Sequence, residues 1–370
     1  MELIYLDNGA TTKPIDDIFR RNAEYYFENF YNPSANYESA RDVKKQLDKK
    51  RAYLEGLFKG KKLLFTSCGT EADNTAIFSF CKRGNVVTTL GEHSAVYRCF
   101  EKLRSDGMDV RYAKLKLGGA VDVDDLLSRI DDKTTFVSVV HVNNETGAVN
   151  DVNAIAKLIK AKNPKIIFHS DGVQAFGKIK SSLENVDLYS VSAHKIGGLK
   201  GVGGLFFRND LHVKPLILGG GQESGLRSGT ENVLGVNVFA DCAEYYYKRI
   251  DENFDRVKLL KQRFLSLIDD GPYKIISPVD GSPYIVPISV VGLKGQVLQS
   301  VLADSGVIVG TGSACSSKSP FSRIISSFER DKKVLDGVLR ISFCPETTAE
   351  EVDAAAKILN EKTKYFNGII

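Results

Sequence analysis

The chain has 370 residues, 43% hydrophobic and 26% charged, a globular balance long enough for a large domain with a smaller companion. Its formal net charge of +4 comes from lysines and arginines spread along the chain, so no nucleic acid or membrane partner is indicated. No apolar run is long enough to span a bilayer, and MELIYLDNGATT lacks the layout of a secretion signal. The six cysteines are scattered without a CxxC pair, which indicates reduced thiols in a cytoplasmic protein and no metal centre.

From about residue 63 the chain alternates strand-like and helix-like runs: LLFTS, EADNTAIFSFCK, VVTT, AVYRCFEKLRS, VRYAKL, VDDLLSRI, TFVSVVHV, NAIAKLIKA, KIIFHSD and DLYSVSA. That order predicts βαβ units, hence an α/β fold with a mostly parallel sheet covered by helices. A long helical region is expected over 232–269, ending near Gly271 and Pro272. Beyond it, YIVPISVVG, GQVLQSVLADSG, VLRISF and a last helix over about 349–366 predict a smaller α+β domain. The expected division is a large domain over 14–250 and a small one formed by 1–13 with 251–370. Whether LIYLDN rejoins the small domain or lines a cleft stays open at this level.

Parallel sheets place their chemistry at the carboxyl ends of the strands, and several of these ends carry polar residues that packing does not require. In FTSCGTEADN, Gly69 permits a tight turn, and the helix-start N–H groups with the Thr70 hydroxyl suit a phosphate; the plainer reading is a helix capped by Thr70 or Ser67. In TFVSVVHVNNETG, an apolar strand stops at two asparagines, a pattern that more often makes a turn than a site. Asp171 ends KIIFHSD, where it could cap a helix or hold a protonated ring nitrogen, and Gln174 follows three residues later. Lys195, in VSAHKIGG, follows Ser192 and His194; desolvated there, its amine can become a nucleophile toward an aldehyde, whereas a solvated loop lysine is the ordinary alternative.

What favours chemistry is the set. A phosphate loop, a ring-nitrogen carboxylate and an amine nucleophile, each at an expected strand end, are the parts that hold pyridoxal phosphate. His93, in LGEHSAV, is placed to stack on the ring and to act as acid or base, and Asn144 and Gln174 could donate to its phenolic oxygen. Cys315, in GTGSACSS, sits in a Gly/Ser-rich stretch, whereas Cys81, Cys99 and Cys242 fall in helical patterns as small hydrophobes. It is the candidate reactive thiol.

With those residues named, the chain resembles the NifS/IscS-like cysteine desulfurases, fold-type I, class V aminotransferase-like pyridoxal phosphate enzymes. The likeness runs nearly end to end through YLDNGATT, NPSA, FTSCGTEADN, EHSAV, HVNNETG, SDGVQAFGKI, SAHKIGG, LRSGTEN, GSACSS and LRISF, in order. It implies that Lys195 joins the cofactor as a Schiff base, Asp171 pairs with the ring nitrogen and His93 stacks on the ring. By the same likeness Gly69, Thr70, Ser192 and His194 bind the phosphate, with Thr230 reaching across from the second subunit of a homodimer. Asn144 and Gln174 contact the ring oxygen, Arg340 clamps the carboxylate of L-cysteine, and Cys315 becomes a persulfide whose sulfur passes to an acceptor such as an iron–sulfur scaffold or a tRNA-thiolation protein. The chain departs from the family pattern at Leu199, where proline is usual, and at Cys68 and Cys344, where glycine is common.

Two other readings share parts of this pattern. A selenocysteine lyase, aminotransferase or β-lyase of the same class would keep Lys195, Asp171 and His93 without needing Cys315. A non-catalytic sulfur-trafficking protein would need neither Lys195 nor Asp171.

Overall fold

The structure, a computed structural model, describes residues 3–268, 271–312 and 321–367. Cys315 lies outside them. The chain opens with β1 (Ile4–Leu6) and two helices that the alternation after residue 63 did not cover, α1 (Asp16–Glu28) and α2 (Glu38–Gly56). There follow β2 (Lys61–Thr66), α3 (Gly69–Phe80), β3 (Asn85–Thr89), α4 (Ser94–Ser105), β4 (Asp109–Ala113) and α5 (Val123–Ser128). Next come β5 (Thr134–Ser138), α6 (Val152–Lys162), β6 (Ile167–Asp171), β7 (Leu188–Ser192) and β8 (Gly203–Arg208). These strands form one seven-stranded sheet in the order β2-β8-β7-β6-β5-β3-β4.

Five of the strands, β7, β6, β5, β3 and β4, run parallel, as the βαβ alternation predicts. β8 was not expected from the sequence, and it runs antiparallel to both β7 and β2. Two reversals restore direction, so β2 ends at the same sheet edge as β7. Thr66 and Ser192 both pair with Gly203, one from each side. A Cβ at Gly203 would lie 2.5 Å from the Cys68 carbonyl carbon, so only glycine lets the two strand ends close in across β8.

TFVSVVHV was expected to be one strand, but β5 stops at Ser138. The chain stays extended beside β6, with Val139 and His141 N–H groups donating to the His169 and Asp171 carbonyls at 3.1 and 2.9 Å. On the other side β3 has already ended, and the Val140 N–H instead donates to the Glu92 carboxyl at 3.0 Å. The single helical region expected over 232–269 is two helices, α7 (Val233–Lys248) and α8 (Ile250–Leu267), broken at Arg249 where φ is −123°. The break has a packing reason. Val236, Phe239 and Tyr246 of α7 share an apolar cluster with Phe58, Phe176 and the β8 residue Phe206, while Val257, Leu260 and Phe264 of α8 join a different one.

That second cluster belongs to the elements that follow: β9 (Tyr273–Ile275), β10 (Ile285–Val290), α9 (Gly295–Asp304), β11 (Val307–Val309), α10 (Lys332–Asp336), β12 (Val338–Ser342) and α11 (Ala349–Asn367). β10 lies between β12 and β9, antiparallel to both. β1 pairs parallel with β11, and Asp7 bridges to Ser342, so the question left open for LIYLDN has two answers at once. Ile4 and Leu6 are buried with the C-terminal elements, and the residues just after them line a cleft.

Candidate active site

A cleft of about 390 Å³ opens where the carboxyl ends of β2, β3, β5, β6 and β7 meet the N-terminal segment, β12 and the residues after β11. It brings together Gly69, Thr70, His93, Asn144, Asp171, Gln174, Ser192, His194, Lys195 and Arg340. Thr230 is not among them. It is exposed and lines a separate cleft of about 160 Å³ in its own chain.

At the end of β2, neither Thr70 nor Ser67 caps α3, against the plainer expectation: no side chain caps that end of the helix. The Ser67 N–H instead donates to Glu71 at 2.8 Å, and Arg227 holds the same carboxylate at 3.0 Å. The turn is close. A Cβ at Gly69 would stand 2.7 Å from Val173 Cγ2, so glycine is what lets the start of α3 approach β6 and β7.

His93 is both a cap and a cleft residue. Its Nδ1 accepts from the Ala95 N–H at 3.2 Å, which puts the proton of the neutral ring on Nε2, and burial lowers its pKa from the ordinary value. The two asparagines divide the work that either could do. Asn143 builds the turn, its Oδ1 accepting from the N–H groups of Glu145 and Thr146 at 2.9 and 2.8 Å, and Asn144 faces the cleft.

Asp171 accepts from the Val173 N–H at 2.9 Å and is almost wholly buried. Burial, reinforced by the neighbouring Asp73 carboxyl, raises its pKa to about 6. A cation placed beside it would reverse both effects. Asp73 itself lines the cleft from α3, is pushed up to about 7 by burial, and has one carboxyl oxygen without a hydrogen-bond partner among the described residues. Its place is readable in retrospect, since it lies four residues after Gly69 and therefore on the same helix face.

Lys195 finds no carboxylate within ion-pair distance among the described residues. Its Nζ donates to the carbonyls of Gly9 and Ala10, each at 2.6 Å. Burial first, then the positive charges of Lys178 and Arg340, lower its pKa to about 7. Half of such amines are unprotonated at neutral pH. His194, held by Thr11 at 3.1 Å, is lowered by burial to about 4 and is therefore neutral.

Arg340 reaches the cleft from β12. It donates from Nη1 to the Asn144 carbonyl at 2.9 Å and from Nη2 to Asp7 at 2.8 Å, and its buried Nε has no partner among the described residues. Asp7, Glu145 and Gln299 also line the cleft and were not singled out from the sequence; Asp7 and Glu145 stand within YLDNGATT and HVNNETG, which could have pointed to them, whereas Gln299 lies in a helical run with no such signal.

The class-V aminotransferase family model matches residues 4–355. The cysteine desulfurase IscS of Clostridium botulinum is 34% identical over 96% of this chain and 93% of its own length. The cysteine desulfurase NifS of Azotobacter vinelandii is 33% identical over 95% of this chain and 90% of its own. Among solved structures, a NifS-like protein superposes with a TM-score of 0.92 at 31% identity, covering 98% of this chain and all of that one. A NifS-like protein from Rickettsia africae gives 0.88 at 26%, covering 97% and 99%. The α/β architecture is thus that of the fold-type I enzymes, and the chain belongs to the class-V aminotransferase family.

Proposed function

We propose that the protein is a cysteine desulfurase that uses pyridoxal phosphate to remove sulfur from L-cysteine, releasing L-alanine and carrying the sulfur on Cys315 to an acceptor such as an iron–sulfur scaffold protein. The observation that carries this reading is the convergence in one cleft of a partly buried lysine amine without a carboxylate partner among the described residues, a buried carboxyl, an imidazole and an arginine. The relatives named cysteine desulfurase support it, since they match along nearly the whole chain.

The lining fits the cofactor. Ser192 Oγ and Arg340 Nε are buried donors of the cleft without partners among the described residues, which the anionic oxygens of a bound molecule would satisfy, and Asn144 Oδ1 is a buried acceptor there that a ligand O–H or N–H would satisfy. When bound, pyridoxal phosphate supplies an electrophilic aldehyde and an electron-withdrawing ring. Lys195 Nζ would hold it through the aldehyde and would serve as the base for the substrate Cα proton. Asp171 would keep the ring nitrogen protonated, His93 would stack on the ring, and Asn144 and Gln174 would donate to the ring oxygen. Gly69, Thr70, Ser192 and His194 bind the phosphate. Arg340 holds the substrate carboxylate in the fork of its guanidinium. Cys315 Sγ would attack the substrate sulfur, forming an S–S bond as the Cβ–S bond breaks, and the carbon skeleton would leave as alanine after gaining one proton at Cβ and recovering one at Cα.

A homodimer is part of the same proposal, with Thr230, exposed and lining a separate cleft in its own chain, joining the phosphate from a second copy. So is the division into a unit over 14–250 and another formed by 1–13 and 251–370, which the separate apolar clusters support. No described helix is long and apolar enough to cross a membrane, which accords with a cytoplasmic site of action.

The test is a paired assay of alanine and sulfide with L-cysteine, cofactor and a thiol reductant. Wild-type protein is expected to yield the two in equal amounts, and Cys315→Ala to keep the bound cofactor while losing sulfide release. Undiminished sulfide from Cys315→Ala would move the assignment to a lyase of the same class.

A further inference from the structure

Lys178 is 3% exposed, and among the described residues no carboxylate lies within ion-pair distance of it. Its Nζ donates to Gln174 Oε1 at 3.2 Å and lies 5.7 Å from the centre of the Tyr284 ring. A buried ammonium without a counter-charge is costly to the fold. What it faces gives that cost a use. Gln174 Nε2 donates to the Gly9 carbonyl at 2.8 Å, and that same oxygen accepts from Lys195 Nζ at 2.6 Å. The two lysines are therefore linked through one side-chain amide and one carbonyl.

We infer that Lys178 is a positioning residue for Lys195: its ammonium holds the Gln174 amide, and through it the Gly9 carbonyl, and its like charge disfavours a proton on the Lys195 amine. The inference rests on the functional reading above for its purpose. The charges around the pair set the direction. Arg340 adds to the repulsion at both lysines, Asp7 and Asp171 oppose it at Lys195, and the neutral rings of His93 and His194 and the Cys344 thiol, raised to about 11 by burial, add no charge at neutral pH. Burial brings Lys178 down only to about 8, against about 7 for Lys195, so the proton leaves Lys195 first. A carbonyl cannot relay a proton between them, which makes the coupling electrostatic and geometric.

The experiment is an NMR titration of cofactor-free, full-length protein labelled with 13C-lysine, following the Cε signals of residues 178 and 195. Lys195 is expected to titrate near neutrality in the wild type. In Lys178→Met its midpoint should rise by about one pH unit, and in Lys178→Arg, which keeps the charge, it should stay within a few tenths. A role in packing alone would lower the melting temperature without moving that midpoint, and an unmoved midpoint in folded Lys178→Met overturns the inference. Should Lys178→Met fail to fold, Lys178→Gln, a polar and uncharged side chain of similar size, supplies the second reading: the Lys195 midpoint must rise there as well, and an unmoved midpoint is equally fatal. Neither titration uses cofactor or L-cysteine. A protein inert to both with coupled lysines would lose the desulfurase reading alone, and an active desulfurase with uncoupled lysines would lose only this one.

Discussion

Arg340 donates from Nη2 to Asp7 Oδ1 at 2.8 Å, joining a residue of β12 to the segment that follows the first strand of the chain. Glycines keep the other face of the guanidinium open: a Cβ at Gly9 would stand 3.2 Å, and one at Gly310 3.1 Å, from Nε. The guanidinium is thus held by two of its nitrogens and left with a third to offer a ligand.

Arg340→Lys is expected to raise KM for L-cysteine at least tenfold, a loss of about 1.4 kcal/mol or more, because an ammonium cannot reproduce the fork. Asp7→Asn keeps the donor but loosens its orientation, so a severalfold rise is expected. Steady-state kinetics with the cofactor spectrum recorded alongside checks both; an altered spectrum with unchanged KM would contradict the assignment.

Lys195→Ala and Lys195→Arg should both fail to develop the visible absorbance of covalently held cofactor, the first for want of an amine and the second because a guanidinium does not give up its proton. Titration of each cofactor-free variant with pyridoxal phosphate, followed by absorbance, reads this directly.

Loading should depend on pH in a definite direction. The reacting species is the neutral amine, and Lys195 is lowered to about 7, so the loading rate should level off above that value and fall about tenfold for each unit below it. Stopped-flow mixing of cofactor-free protein with cofactor between pH 5.5 and 8.5 measures it. A profile still rising tenfold per unit at pH 8.5 would mean an ordinary lysine.

Asp73→Asn should stabilise the cofactor-free protein, by at least about 2 °C in Tm, at pH 8 and above. The sign follows from the folded pKa of about 7, raised above the unfolded value of 3.8. Folded protein holds the proton across that window, so the cost of the buried carboxylate is absent below the lower value, grows as pH rises, and is complete above the upper one. The difference between variant and wild type should therefore shrink as pH falls toward 4. Thermal melts at several pH values test this, and a constant difference would sink it.

Arg323 lies 3.7 Å over the Tyr97 ring and donates to the Leu90 and Glu92 carbonyls, while the adjacent Ser322 donates to Glu145. It thereby ties the segment leading to β12 to the turn that carries His93. Arg323→Met should cost about 2 kcal/mol of stability and weaken retention of the cofactor, as denaturant melts and dialysis would register.

Lys195, Asp171, His93 and Gly69 could be read directly from the sequence because each stands where an apolar run gives way to polar residues. That signal is local, and in a parallel sheet such ends fall on one edge. The division of Asn143 and Asn144 between turn and cleft was not readable, since neighbouring residues of one type differ only in where the backbone aims them. Asp73 and Lys178 were hidden for a related reason: an acidic or basic residue in a helical or looping stretch reads as solvated until its surroundings are known.

By itself the sequence determined the alternation of elements, the sheet edge on which the polar residues had to fall, and most of the groups that line the cleft there. Only the tertiary structure decided that β8 enters antiparallel and returns β2 to the edge shared with β7, that the helical run breaks at Arg249 to serve two cores, and that Asp7 meets Arg340 across 333 residues of chain. Periodicity records which face of a segment is buried; it carries no information about which distant segment buries it.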